Sequence, residues 1–400
     1  MNIYERFGIR AIVNVAGTGT RYGGGLVRQE AIDAMREAAR EAVSLIDLHA
    51  AASSVIAGRT HAEAGIVTAG ATAALTLGTA ACITGLDVAK MNRLPDTTGM
   101  PNEVIVPYHE FSGYDILGYA HAISAAGAKI VKVDIPWPHS WRTISKWDVE
   151  AAITEKTIAI AYDIRAGGHP SLEEVVEIGK KHSIPILVDA AGAVPPPENL
   201  YKFIDAGADL VAFSGGKGIR GPQNSGILCG RRDLVASALL QMIDMAGKAF
   251  DEWNPPSLIP KEKLKGKPKH GIGRGMKVSK EAIVGLLVAL EKLTEEDWGR
   301  EGKQLRGLLE RIKMRLQGIR GIELTLRENV KEGFPTLDIK VNSSELGKTA
   351  TEISLKLRTG QPSIYVWDLG KNDLLVINPV NLNEEATGVV SEALYNALTG

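Results

Sequence analysis

Six short apolar runs set the narrowest limits on what this chain can fold into. They cover residues 104–106, 129–133, 157–161, 184–188, 210–213 and 226–229. Successive runs start about 15 to 28 residues apart, which in most intervals leaves room for one helix. Between two of them, Ser171-Leu172-Glu173-Glu174 is a capping box that opens a helix. This alternation predicts an α/β fold with a mainly parallel sheet covered by helices. In open sheets of that kind, ligands bind beyond the carboxyl ends of the strands. The residues that follow each run are therefore the first candidates for function.

Two of those run ends carry charge. The run 210–213 stops at Ser214-Gly215-Gly216-Lys217, and a turn through Gly221-Pro222-Gln223 leads into the next run. A lysine here has a rigid strand behind it and little side-chain bulk around it. That placement suits an amine held for attack on a carbonyl, the chemistry of a Schiff base. It equally suits a solvated or phosphate-contacting turn lysine. The run 184–188 ends in Asp189-Ala190-Ala191-Gly192. A buried Asp at a strand end needs a cationic partner, because an isolated charge is costly to desolvate. The ring nitrogen of pyridoxal 5'-phosphate (PLP) is one such partner, and a helix N-cap role is the plain alternative. Asp189 and Lys217 together are more specific than either alone.

The pattern Val188-Asp189-Ala190-Ala191, Gly207-Ala208-Asp209-Leu210-Val211, Phe213-Ser214-Gly215-Gly216-Lys217 and Gly221-Pro222-Gln223 resembles the fold-type I PLP enzymes. More narrowly, the chain resembles the group containing bacterial selenocysteine synthase (L-seryl-tRNA selenium transferase) and D-glucosaminate-6-phosphate ammonia-lyase. Asn14 to Arg21 with Gly23-Gly24-Gly25, Val67 to Ala74, and Gly273 to Val278 match the ammonia-lyase branch. The match spans residues 5 to 290, and the last hundred residues show none. The resemblance implies a seven-stranded type of sheet, a Lys217 bond to PLP, and Asp189 at the pyridine nitrogen. It places the cofactor phosphate at Gly70, Ala71 and Thr72, where helix N–H groups and the dipole favour an anion.

Further candidates sit at other strand ends. His109, after the run 104–106, is a candidate to stack on the cofactor ring, with Tyr108 beside it. Asp163 is a candidate neighbour of the cofactor, Ala191 a cofactor contact, and Ser214 a phosphate donor. Arg21 and Arg274 are candidates for a substrate carboxylate or another anion, since arginine grips carboxylate with a two-pronged fork. A surface ion pair is the alternative for each. The stretch 255–275 carries Lys261, Lys263, Lys265, Lys267, Lys269 and His270. It reads as a solvated connecting loop or as a cationic lip for an anionic substrate.

The rest of the chain fills in the frame. Residues 1–50 read as an N-terminal arm and helix, 51–275 as the large PLP-binding domain, and 276–400 as a smaller α+β domain. Ile32, Met35, Ala39, Val43 and Ile46 form one helical apolar stripe. The loop from Gly17 to Gly25 is glycine-rich enough for backbone to approach a ligand closely. Long helices are expected over 279–293 and 300–316, strands at 337–341 and 363–366, and a final helix over 384–398.

Bulk properties exclude other classes. The 46 basic and 47 acidic residues nearly cancel, so nothing global favours nucleic acid or an anionic membrane. Cys82 and Cys229 lie in apolar runs and read as buried thiols of a cytoplasmic protein. No signal peptide, membrane span or zinc-ligand spacing is legible. The expected activity is a PLP-dependent lyase catalysing α,β-elimination from an amino acid or amino sugar acid with a β-hydroxyl, in at least a homodimer. Selenocysteine synthase carries an additional N-terminal tRNA-binding domain, and the match here begins near Met1, which speaks against an aminoacyl-tRNA substrate. A racemase, aldolase, aminotransferase or selenium-transferase-like enzyme would share Lys217 and Asp189. A nucleotide-binding α/β protein would use the glycines without a covalent cofactor.

Overall fold

The computed structural model describes residues 3–107, 117–134, 143–164, 169–244, 248–252, 258–259, 261–327, 333–370 and 373–400. These divide into two compact units. One comprises Val27–Val194 and Glu198–Lys292. The other comprises Met1–Leu26, Pro195–Pro197 and Leu293–Gly400.

The larger unit is built on a seven-stranded sheet. Its strands are β2 (Ala64–Thr68), β3 (Glu103–Pro107), β4 (Lys129–Val133), β5 (Thr157–Asp163), β6 (Ile186–Asp189), β7 (Leu210–Ser214) and β8 (Gly226–Gly230), following β1 (Val13–Val15) of the other unit. The order is β2-β8-β7-β6-β5-β3-β4. β3 to β7 run parallel, while β8 is antiparallel to both neighbours. Each of the six apolar runs holds a strand; the central residues of five are buried, while β4, at the edge of the sheet, has its centre only partly covered. The helix Leu172–His182 starts at the expected capping box. Glu174 N–H donates to Ser171 Oγ at 3.2 Å, and Ser171 N–H donates to Glu174 Oε2 at 3.0 Å.

The expected stripe from Ile32 to Ile46 is not one helix. It is divided between α1 (Gln29–Ala38) and α2 (Leu45–Thr60), with Ser44 capping α2 through a 3.3 Å bond from Asp47 N–H. Ile32 and Val43 are exposed. A competing N-cap thus interrupts a pattern that periodicity alone would continue. The helix Lys280–Glu291 packs on α1, where Gly285 leaves room for the Met35 side chain.

The smaller unit holds a five-stranded sheet in the order β1-β11-β12-β10-β9, with β9 (Ile322–Arg327), β10 (Thr336–Val341), β11 (Ile364–Leu369) and β12 (Leu374–Ile377). β1 lies parallel to β11, so residues 1–26 cluster with the C-terminal region. The division of contacts therefore falls elsewhere than at residues 50 and 275. The helices Glu295–Leu316 and Glu384–Thr399 cover this sheet around a core that includes Val15, Leu309, Ile339 and Leu394.

Candidate active site at the carboxyl ends of the parallel strands

The site begins with strand register. Asp163 ends β5 and is paired with Asp189, the last residue of β6. Asp189 in turn is level with Ala212 on β7. Register partners on adjacent strands put side chains on the same face about 5 Å apart, so two carboxylates stand together at this edge. Asp189 is 7% exposed. Its Oδ1 accepts a 3.0 Å bond from Ala191 N–H. Ala191 therefore orients Asp189, the tight turn being set by Ala193 N–H donating to Ala190 O at 3.0 Å.

Lys217 reaches the same place. Its Nζ would stand 3.9 Å from a Cβ built on Gly192, so the amine hangs over the turn that follows Asp189. The loop carrying Lys217 is held from within: Gly215 N–H donates to Ser225 O at 2.8 Å, Gly221 N–H to Gly215 O at 2.8 Å, and Arg220 N–H to Lys217 O at 3.1 Å. It is braced from outside by Arg28, whose N–H donates to Arg220 O at 2.9 Å and whose Nε donates to Ile219 O at 3.2 Å. A Cβ at Gly216 would lie 2.5 Å from the Cα of Gln223, so only glycine lets the loop close this tightly.

The anion cup lies two strands away on the same edge. Ser214, Gly226 and Thr68 form one row across β7, β8 and β2. Gly226 abuts Gly70, with a Cβ there meeting Gly70 C at 2.5 Å. Gly70 has φ +107°, and its own added Cβ would meet open space. It opens α3 (Ala71–Thr84), a helix buried on nearly all sides against β6, β7 and β8. Thr68 Oγ1 donates to Gly70 O at 2.9 Å and fixes the turn. The first N–H groups of such a helix have no partner within the helix and face an anion well.

One unit thus brings together Gly70, Ala71, Thr72, Asp163, Asp189, Ala191, Ser214 and Lys217. Arg274 belongs to the same unit, on a turn seated against the helix Arg232–Met242, and its guanidinium donates to Asp244 at 3.3 Å. Arg21 belongs to the smaller unit, where it lies 4.6 Å over the Tyr22 ring. The glycine-rich arm is tied down there, with Leu26 N–H donating to Asn381 Oδ1 at 2.8 Å. His109 and Tyr108 lie outside the described residues. In the basic stretch, Lys267 pairs with Asp251 at 2.6 Å, while Lys263, Lys265 and Lys269 are exposed. The sequence does not mark Gly226, whose missing side chain gives the Gly70 turn its space.

The residues fit PLP. A carboxylate pair beside an amine, an open helix start and a glycine cradle match a ring cation, an aldehyde and a phosphate. The fold and this site define a fold-type I PLP-dependent enzyme. Residues 54–214 match the DegT/DnrJ/EryC1/StrS aminotransferase family. The chain is 30% identical over 376 residues to 5'-C-glycyluridine monooxygenase-decarboxylase of a Streptomyces species, covering 91% of this chain and 84% of that one. It is 28% identical over 372 residues to D-glucosaminate-6-phosphate ammonia lyase of Salmonella typhimurium, covering 91% and 89%. The solved structure of a D-glucosaminate-6-phosphate ammonia-lyase superposes with a TM-score of 0.79 at 26% identity, covering 100% of this chain and 98% of that one. The chain belongs to the PLP-dependent family that contains these two enzymes. The superposition also covers the last hundred residues, where the sequence shows no matching motif.

Proposed function

We propose that this enzyme is a lyase that eliminates water from an amino acid or amino sugar acid bearing a β-hydroxyl. The observation that carries the reading is the Lys217 amine over the Asp189–Gly192 turn, in a chain that superposes over its whole length on an ammonia-lyase. Lys217 would hold PLP at its aldehyde carbon, Asp189 at its ring nitrogen, and Gly70, Ala71, Thr72 and Ser214 at its phosphate. When bound, PLP supplies a sink for the electron pair left at the substrate Cα. Lys217 Nζ takes the Cα proton and returns a proton to the departing hydroxyl. Asp189 keeps its charge opposite the ring cation. Arg21 and Arg274 are the proposed anchors for the substrate carboxylate or another anionic group. The enamine released takes up a solvent proton at the β-carbon and hydrolyses to a 2-oxo acid and ammonia.

The test has two parts. Borohydride reduction should abolish the visible absorbance and fix a pyridoxyl group on Lys217 by peptide mapping. A panel of D- and L-hydroxy amino acids and amino sugar acids, phosphorylated and not, should then give ammonia and a 2-oxo acid in deuterated water. Deuterium should appear at the former β-carbon. Recovered amino acid deuterated only at Cα and inverted would make the enzyme a racemase. The Streptomyces relative motivates a second reading, which oxygen uptake and carbon dioxide release from the same panel would support.

We also propose a cytoplasmic homodimer or higher homo-oligomer. In the smaller unit Ile3, Tyr4, Phe7 and Ile9 are exposed, Phe7 by 70%, a concentration of apolar surface that suits a second copy. Sedimentation of fully active enzyme as a single chain would remove this proposal. Among the described residues, no helix is long and apolar enough to cross a membrane.

A further inference from the structure

We propose that Tyr22 is a positioning residue that holds the Arg21 guanidinium ready for an oxyanion, the carboxylate or a phosphate of the substrate. This rests on the reading above in which Arg21 anchors an anionic group. It goes further by naming what fixes that guanidinium and which chemistry it selects.

Two arginines are candidates for the anchor, and they differ in what they already hold. The Arg274 guanidinium donates to Asp244 at 3.3 Å, so it meets an anion within the fold. Arg21 is exposed, and among the described residues its guanidinium makes no hydrogen bond or ion pair. It lies over the Tyr22 ring, with 4.6 Å between the guanidinium carbon and the ring centroid. An aromatic face attracts a cation without consuming its N–H groups. The five donors of a guanidinium lie in its plane, and their fork matches two oxygens of a carboxylate or phosphate. Contact with the ring therefore orders Arg21 and leaves its donors for a ligand.

The ring beneath Arg21 is itself fixed. Tyr22 packs on Tyr365 of β11, with centroids 5.0 Å apart and planes at 54°, so a sheet strand backs the platform. The turn that carries Arg21 and Tyr22 closes through Tyr22 N–H donating to Gly19 O at 2.9 Å and Gly23 N–H to Thr20 O at 3.0 Å. Gly23 has φ +86°, a conformation that side chains disfavour. Before the turn, Asn14 Nδ2 donates to Gly17 O at 2.8 Å, and after it Asn381 accepts from Leu26 N–H. The arm is thus tied on both sides of one exposed cation. A merely solvated cation gains nothing from such ties. A cation that must grip a ligand does gain, because a side chain already ordered loses less entropy on binding.

The experiment measures equilibrium binding to the holoenzyme through perturbation of its visible absorbance. One arm pairs D- and L-serine with their amides, which keep the amine and lose the carboxylate. The other pairs D- and L-O-phosphoserine with serine. Wild type should bind the more anionic member about ten-fold more tightly in at least one arm, and that arm identifies the oxyanion. Arg21→Gln should bring the ratio close to one. Tyr22→Leu should lower it by at least about three-fold, with cofactor content and binding of the less anionic member unchanged, and Tyr22→Phe should keep it because the ring remains. A wild-type ratio in Tyr22→Leu, where Arg21→Gln has lost it, overturns the role of Tyr22 and leaves Arg21 as the anchor. If Tyr22→Leu does not fold, the ratio is read in Tyr365→Leu, which removes the ring behind Tyr22, and a wild-type value there overturns the proposal. A ratio that Arg21→Gln leaves unchanged overturns the reading of Arg21 as an anchor, and the proposal with it.

Discussion

The two ends of the seven-stranded sheet are made by the same strands yet handle charge differently. At the amino end, opposite charges meet. Glu103, opening β3, accepts from Lys129 at 3.0 Å and from Thr154 at 2.7 Å. Asp209, just before β7, accepts from Ile186 N–H at 2.8 Å and from Arg231 at 3.1 Å. Asp205 pairs with His61 at 2.9 Å, and Glu63 accepts from Arg232 N–H at 3.0 Å. At the carboxyl end, Asp163 and Asp189 stand in register, with the Lys217 amine over the adjoining turn. The amino end closes the fold upon itself. The carboxyl end is arranged for a group that arrives later. Stability and function should therefore separate along the strand direction.

The sharpest way to break that separation is to exchange Lys217 for alanine. The amine serves as both base and acid in the proposed reaction, so kcat should fall by at least about 10³-fold. Lys217 lies on the loop after β7, outside the strand, and the urea midpoint of the apoenzyme should move by less than the equivalent of about 1 kcal/mol. Lys217→Ala that unfolds as readily as an amino-end variant would show that the two ends do not differ as described.

His49 sharpens the comparison from the side of pH. It lies on α2, two turns before Ile56, whose side chain fills the space over Gly65 of β2. Helical rise puts His49 about 10 Å nearer the carboxyl end of that strand. It is 3% exposed, and its Nδ1 has no hydrogen-bond partner among the described residues. Burial lowers its pKa from 6.5 to about 4. The unfolded chain takes up this proton below pH 6.5, while the folded chain resists until about pH 4. The contribution is therefore complete above pH 6.5 and lost as pH falls through that window. The loss amounts to about 2 kcal/mol at pH 5, from 1.36 kcal/mol per unit. Urea unfolding at pH 7.5 and pH 5.0 should show this loss in wild type, and His49→Gln should reduce the difference between the two. An equal pH difference in both proteins would place the acid sensitivity elsewhere.

What the sequence disclosed follows the same division. Strands β3 to β7 were legible because each is a short apolar run at βαβ spacing, and β8 because an apolar run follows the turn through Gly221-Pro222-Gln223. Lys217 and Asp189 were legible because small residues surround a charge at a strand end. The pairing of Val13–Val15 with Ile364–Val366 was not, since it joins segments about 350 residues apart that carry no local mark of each other. The stripe from Ile32 to Ile46 misled because periodicity does not register a cap at Ser44. His49 stayed hidden for another reason. Its importance lies in what does not touch it, and only packing reveals that.

The smallest effect belongs to the amino end. Asp209→Ala leaves Ile186 N–H without its acceptor and removes one of the carboxylates that hold Arg231, the other being Asp233 at 2.7 Å. Arg231 is partly exposed, so water compensates that loss and most of the cost comes from the strand N–H. The expected destabilisation is about 1–2 kcal/mol, read as a lower urea midpoint with an unchanged slope. Asp209 and Asp189 lie at opposite ends of the sheet, and the register of β6 on β7 is set by backbone bonds that the substitution leaves in place. Under conditions where the variant is folded, kcat and KM should therefore equal those of wild type. A drop in kcat without a change in cofactor content would mean that the amino end transmits its geometry along β7 to Lys217, and the separation between the two ends would fail at the strand that joins them.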